Sequence, residues 1–281
     1  MAKIHVVEVN FDSLCGPTHH FGGLSWGNIA STSNQSPLSH PKKAALEGLE
    51  KMKLVSELGV MQAVLPPQLR PNFEALRQCG FCGSDQDIAK KSFKQSPQLF
   101  LQCSSSSFMW AANSGTITAS IDAKDKKVHI TPANLLSNLH RSIEAKTTEH
   151  IFRKIFHNEH YFTVHAPVPS SCEFLDEGAA NQTRFTKNRK GLYLFVYGVS
   201  QSKKNPGPKK FPGRQTKAAF DVITRNHQLP ESQIVFAQQQ AHAIDAGVFH
   251  NDVISTGHET LFMYHEETFY NQDGVIEELQ D

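Results

Sequence analysis

Leu192-Tyr193-Leu194-Phe195-Val196-Tyr197, then residues 214–227, then Ile234-Val235-Phe236-Ala237, is the stretch from which the fold reads. The first six residues are aromatic or aliphatic and carry no charge, the composition of a buried strand. Residues 214–227 read as a helix and residues 234–237 as a second strand, which makes a strand–helix–strand unit. Working toward the N-terminus, residues 128–131 and 161–164 repeat the strands, with the apolar stripe of Ile151, Phe152, Ile155 and Phe156 between them. Before that, Pro41 suits a first helical turn. Ala45, Leu49, Met52 and Val55 follow at spacings of three and four, Gly59 closes the helix, and residues 61–65 form a short strand ended by Pro66-Pro67. Val6, Val7 and Val9 suggest an opening strand, and Ser84-Asp85-Gln86-Asp87 resembles a capping box. Val253-Ile254 and residues 261–264 are expected as a hairpin around Thr256-Gly257. Residues 11–36, 182–191 and 200–213 read as loops, the last two as solvated surface. The whole is an α/β or α+β protein of similar units without a clean sequence repeat.

The chain end at residues 265–281 looks like an amphipathic helix with no following strand to pack on, and is expected to be a cut rather than a natural domain end.

The 281 residues suffice for one large domain or two smaller ones. With 28 Lys and Arg against 27 Asp and Glu the formal net charge is +1, which gives no electrostatic reason to expect nucleic acid or membrane as a partner. The N-terminus is not a signal peptide, because its apolar run is short and broken by charge. Residues 95–121 lack charge but are too rich in Ser, Gln, Asn and Thr for a lipid-facing helix, and read as buried, irregular and polar. Five Cys, an odd number without a secretory signal, point to reduced thiols in a cytoplasm.

Three segments carry candidate chemistry. In His250-Asn251-Asp252 a strand would project His250 and Asp252 to one face, where they would share acid–base work and cation binding; the plain alternative is a surface pair. In Asp176-Glu177-Gly178-Ala179-Ala180-Asn181 two carboxylates stand beside small residues that admit a ligand, or form a surface turn. The Gly22 to Ser31 segment offers a loop able to hydrogen-bond a polar ligand, without the Lys and spacing of a phosphate loop. Cys79-Gly80-Phe81-Cys82 has redox or zinc spacing but no second pair, so two buried or free thiols are the simpler reading. His19-His20 as metal ligands fares no better, since adjacent strand residues diverge.

These segments, with Val9-Asn10-Phe11-Asp12, Thr18-His19-His20, Met109-Trp110, Ala112-Asn113, His140-Arg141-Ser142 and Arg214-Gln215-Thr216, resemble the matching stretches of N-succinylarginine dihydrolases along essentially the whole chain. The resemblance implies the pentein fold, an α/β propeller of ββαβ units about a central site. Here it is expected to be incomplete, as a single truncated catalytic domain over residues 1–281. It implies hydrolysis of N-succinyl-L-arginine to N-succinylornithine, ammonia and carbon dioxide in arginine catabolism, by a cytoplasmic homodimer with no cofactor or metal. Carried over, Glu177 and His250 match the acid–base pair. Gly22, Gly23, Leu24, Ser25, Trp26, Gly27, Asn28, Ile29, Ala30, Ser31, Asn113, His140, Arg141, Arg214 and Asp252 match substrate-contacting positions. A guanidinium presents a fork of donors that carboxylates such as Asp252 hold by paired hydrogen bonds, and Arg141 and Arg214 suit the substrate carboxylates. The family nucleophile is a Cys in a Gly-rich stretch near the C-terminal end, and none of Cys15, Cys79, Cys82, Cys103 or Cys172 has that context. The chain is therefore expected to be inactive alone. The competing readings are a catalytically dead binding protein that retains the pocket, and a nonfunctional remnant.

Overall fold

The structure, a computed structural model, describes residues 7–20, 23–35, 38–199 and 207–280. The expectations placed on Val6, Gly22 and residues 200–206 lie outside them. Among the described residues the strands form four small separate sheets.

In the first, β1 (Val9–Ser13) and β2 (Met61–Leu65) run parallel. Between them come α1 (Ile29–Thr32) and α2 (Pro41–Glu57), with Pro41 in the first turn and Gly59 at φ +86° just beyond the end. Next, α3 (Phe73–Gln78), α4 (Asp85–Gln95) and α5 (Pro97–Cys103) pack around Leu76, Ile88 and Cys103. Ser84 caps α4 by accepting from the Asp87 N–H at 3.2 Å.

The second sheet is β3 (Gly115–Thr118) antiparallel to β4 (Val128–Pro132), which is parallel to β5 (Phe162–Val164). The short α6 (Leu139–Ser142) and then α7 (Ala145–Ile155) connect β4 to β5. The third repeats this order: β6 (Gln182–Lys187) antiparallel to β7 (Lys190–Tyr197), then α8 (Lys217–Asn226), then β8 (Ile234–Gln238) parallel to β7. After α9 (Ala241–Asp245) come the hairpin β9 (Ser255–His258) and β10 (Leu261–Tyr264), and α10 (Gln272–Gln280). The second and third units are thus ββαβ.

The central strand β7 is buried on both faces, and its residues alternate between two cores as the period of two requires. Tyr193 and Phe195 pack with Phe220 and Ile223 of α8. Leu194 and Val196 pack with Val235, Ala237, Phe269 and Val275. Each such side chain contributes roughly 1.5–3 kcal/mol of burial. Val275 belongs to α10, so that amphipathic helix has a partner surface after all, on the face of β7 and β8 opposite α8.

Several sequence expectations need correction. The first strand among the described residues is Val9–Ser13; Val7 is exposed and outside it. Residues 11–36 are not all loop, since they hold the end of β1 and the turn of α1. Residues 182–191 form the β6–β7 hairpin. Its two-residue turn is Asn188-Arg189, at φ 52° and 70°, which matches the twist of paired strands without Gly. The hairpin near the end turns at Glu259-Thr260. Gly257 lies inside β9, where a Cβ would stand 2.5 Å from the Phe185 ring. That glycine serves close approach rather than a turn. Residues 95–121 are polar and buried at Ser104, Ser105 and Ser106, but also hold α5 and β3. Residues 250–252 are not strand; Asn251–Val253 is a 3₁₀ turn.

Candidate active site

Glu177 is fully buried in the connection between β5 and β6. Its backbone N–H donates to Gln215 Oε1 at 2.8 Å, and its neighbour Asp176 donates from its own N–H to Asn134 Oδ1 at 3.1 Å. These bonds fix an irregular backbone that has no sheet partner. Gly178 follows at φ +71°, and a Cβ there would press to 3.0 Å on the Asn113 carbonyl. Glycine therefore brings this turn against the Asn113 segment. Asp176 and Glu177 are not a surface turn.

The Glu177 carboxylate has three side-chain partners. Ser137 Oγ donates at 2.5 Å, Arg141 Nη1 donates to Oε2, and His250 Nε2 lies 3.1 Å from Oε2. Arg141 and His140 come from α6 and are both buried. His250 is set by the 3₁₀ turn after it, where the Asn251 N–H donates to Asn181 Oδ1 at 2.9 Å. Burial alone would raise the Glu177 carboxyl, but Arg141, then His250 and Arg214, outweigh it and hold it at about 2. Burial lowers His250, opposed by Glu177, so the imidazole is held toward its neutral form. Asp176, buried without a cation beside it, is pushed up to about 7.

A cavity of about 620 Å³ opens on this cluster. Asn113, His140, Arg141, Arg214 and His250 line it, as do Leu24, Ser25, Asn28, Ala30 and Ser31. Asn28 caps α1, its Oδ1 accepting from the Ser31 N–H at 2.9 Å, and so shapes the segment. Arg214 donates to the Trp26 carbonyl and lies 5.2 Å from the Phe249 ring centroid. Burial lowers Arg214 to about 10, Glu177 opposing, and it remains a cation at neutral pH. Burial, then Arg141 and Arg214, lower His140 to about 3, so it is neutral; its Nε2 lies 3.3 Å from Ser25 Oγ. Arg141 Nη2 and Asn113 Oδ1 are buried without a hydrogen-bond partner, two polar atoms that a ligand would satisfy.

Other expected site residues stand apart from this lining. Trp26 is exposed and packs edge-on to Phe211 at 5.4 Å, Gly27 lies under the same ring, and Ile29 abuts Gly247. Gly23 is at φ +75°, beside Gln35. Asp252 is exposed and lines a separate groove with Ser255 and His258. Its carboxyl is raised by the protein around it, His250 and Arg141 opposing. The side-chain partners of Glu177 are therefore Ser137, Arg141 and His250, and Asp252 is not among them. Ser137 and Gln215 hold Glu177 in place; Ser137 was not singled out in the sequence, its only signal being proximity to His140, and Gln215 was quoted only within Arg214-Gln215-Thr216, without a role.

Among the described residues no group of three or more His, Cys, Asp and Glu is placed to hold a metal ion, and no helix is long and apolar enough to cross a membrane. None of the five Cys lines the cavity. Cys15 and Cys103 are buried elsewhere, and burial raises both thiols, Cys103 to about 11; Cys79, Cys82 and Cys172 are exposed.

Among solved structures, the N-terminal domain of ArgZ bound to product, an arginine dihydrolase from the ornithine–ammonia cycle in cyanobacteria, superposes with a TM-score of 0.57 at 13% identity. The match covers 96% of this chain and 71% of that one. SxtG, an amidinotransferase from Microseira wollei, gives 0.53 at 11% identity over 95% of this chain and 70% of that one. These likenesses concern the fold, mixed α/β with small sheets. In sequence, the N-succinylarginine dihydrolase of Aliivibrio fischeri is 50% identical over 278 residues, covering 98% of this chain and 63% of that protein. The Myxococcus xanthus protein of the same name is 49% identical over 275 residues, covering 98% and 62%. The chain thus spans under two thirds of the length of these curated relatives. The family model described as succinylarginine dihydrolase matches residues 5–281. The chain belongs to the succinylarginine dihydrolase family.

Proposed function

We propose that the cavity takes N-succinyl-L-arginine, and that its residues serve hydrolysis of the guanidinium to N-succinylornithine, ammonia and carbon dioxide in arginine catabolism. The observation that carries this reading is the buried Glu177–His250 pair at the floor of a cavity lined by Arg141 and Arg214. Arg141 and Arg214 meet the carboxylates of the substrate, and Asn113 and Ser25 offer polar contacts. His250 protonates the leaving ammonia and then takes a proton from water. The units ββαβ and their partial relatives β1–β2 and β9–β10–α10 belong to one pentein-type catalytic domain. That domain acts as a cytoplasmic homodimer without a cofactor.

The covalent step of this chemistry needs a thiolate at the guanidinium carbon. With no Cys at the cavity among the described residues, the 281-residue chain on its own binds without turnover. A calorimetric titration with N-succinyl-L-arginine and an ammonia-release assay test both halves. Binding with no ammonia above a protein-free blank is expected. No binding overturns the substrate assignment. Turnover abolished by changing Cys15 or Cys172 overturns the statement about the nucleophile.

A further inference from the structure

Outside the Glu177 cluster, the most completely buried ion pair among the described residues is Arg70–Glu144, with Nη2 and Oε1 3.2 Å apart and both side chains nearly inaccessible. A buried pair of this kind is weak evidence of stabilisation, so its geometry needs another reason. Glu144 Oε1 also accepts from Ser107 Oγ at 2.8 Å and from the Phe108 N–H at 3.0 Å. Arg70 Nε donates to the Ser105 carbonyl at 2.9 Å. The pair thus grips one turn, residues 105–108, from two sides, and Ser105 and Ser107 line the same cavity as Arg141. Glu144 is also tied to the end of α6, because its N–H donates to the Arg141 carbonyl at 2.9 Å.

We propose that Arg70 and Glu144 are positioning residues of this site: they set where the Ser105–Ser107 wall stands relative to Arg141, and so the fit of a bound acylarginine. The proposal rests on the substrate reading above. Glu144 acts through Ser107, whose hydroxyl donates its hydrogen bond to Glu144 and leaves the Ser107 oxygen as an acceptor on the cavity wall. Arg70 acts through Glu144 and the Ser105 carbonyl. Neither touches the ligand.

The test is a double-mutant cycle on the full 281-residue chain, read by calorimetric titration with N-succinyl-L-arginine. Ser107→Ala is expected to weaken binding by about tenfold, the scale of one lost hydrogen bond. Glu144→Asp keeps the charge but shortens the reach, and is expected to weaken it at least as much. The double variant is then no weaker than Glu144→Asp alone, because one route carries both effects. Where Glu144→Asp fails to fold by circular dichroism, Arg70→Lys replaces it in the same cycle. Ser107→Ala binding like the wild type, or losses that add, overturns the proposal. A wild-type chain that does not bind fails the substrate reading instead, before any variant is compared.

Discussion

His250 Nε2 lies 3.1 Å from the Glu177 carboxylate, and both side chains are buried. The same oxygen of Glu177 takes Arg141 Nη1. One carboxylate oxygen therefore holds the His250 imidazole and the Arg141 guanidinium in register. Removing it would leave a buried cation and an imidazole without their common partner.

Glu177→Gln is expected to lower stability by about 3 kcal/mol, the scale for breaking a buried pair by deleting one partner. Urea unfolding measures this. The variant is also expected to move His250 further below its usual range, because Glu177 is the group that holds it up against burial. Ring-proton NMR of His250 reads that shift, and an upward movement would contradict the pairing.

Asp176 carries the opposite linkage. Its folded pKa of about 7 stands above the usual 3.8, so the folded chain binds the extra proton between those values. Stability from this group is present below about pH 4 and lost as pH rises through about 7. Asp176→Asn cannot titrate and is expected to remove that decline. Unfolding free energies at pH 5 and pH 8, differing by the same amount in wild type and variant, would show that Asp176 is not the group responsible.

Much of this architecture was legible because burial on both faces leaves an unmistakable composition. β7 carries six successive apolar or aromatic residues, and β2, β4, β5 and β8 were found nearly to the residue. What failed was where tertiary contact overrides local signal. Gly257 looked like a turn because nothing nearby in sequence announces the Phe185 ring that crowds it. β6 was hidden by Arg184 and Lys187, although Arg184 is answered by Asp122 at 2.7 Å, sixty-two positions earlier in the chain. For the site, Glu177 and His250 came from the family resemblance. Spacing alone left them as surface residues, and only the fold brings residues 73 positions apart into one hydrogen bond.

Gly257→Ala tests the close approach directly. A Cβ there would meet Phe185 Cε1 at 2.5 Å and Thr183 Cγ2 at 2.8 Å, inside the packed face between β6 and β9. The expected loss is about 2 kcal/mol, within the usual range for overpacking. A variant as stable as wild type in urea would mean the hairpin shifts freely on β6.

His227 supplies the last expectation, because its linkage opposes that of Asp176. It follows α8 and bonds side chains of the paired strands β3 and β4, where Nδ1 lies 2.8 Å from Thr118 Oγ1 and Nε2 2.8 Å from Thr131 Oγ1. Its ring also stacks on His165 at 5.3 Å and lies 5.5 Å from His129. Both nitrogens are satisfied by hydroxyls, which suits a neutral imidazole that donates once and accepts once. Burial first, then His165 and His129, push its pKa well below 6.5. The unfolded chain therefore binds the proton that the folded chain refuses, and stability from this group is lost as pH falls below about 6.5. Between about pH 4 and 6.5 this loss runs against the gain from protonating Asp176, and the two slopes offset each other in the wild type. His227→Gln keeps a donor and an acceptor but does not titrate, so it is expected to uncover a stability that rises as pH falls through this window. Asp176→Asn is expected to uncover the reverse, with a slope near 1.4 kcal/mol per pH unit for one unmatched proton. Urea unfolding of both variants at pH 7, 6 and 5 decides it: slopes of the same sign would mean that at least one of these buried groups is not in the protonation state its hydrogen bonds imply.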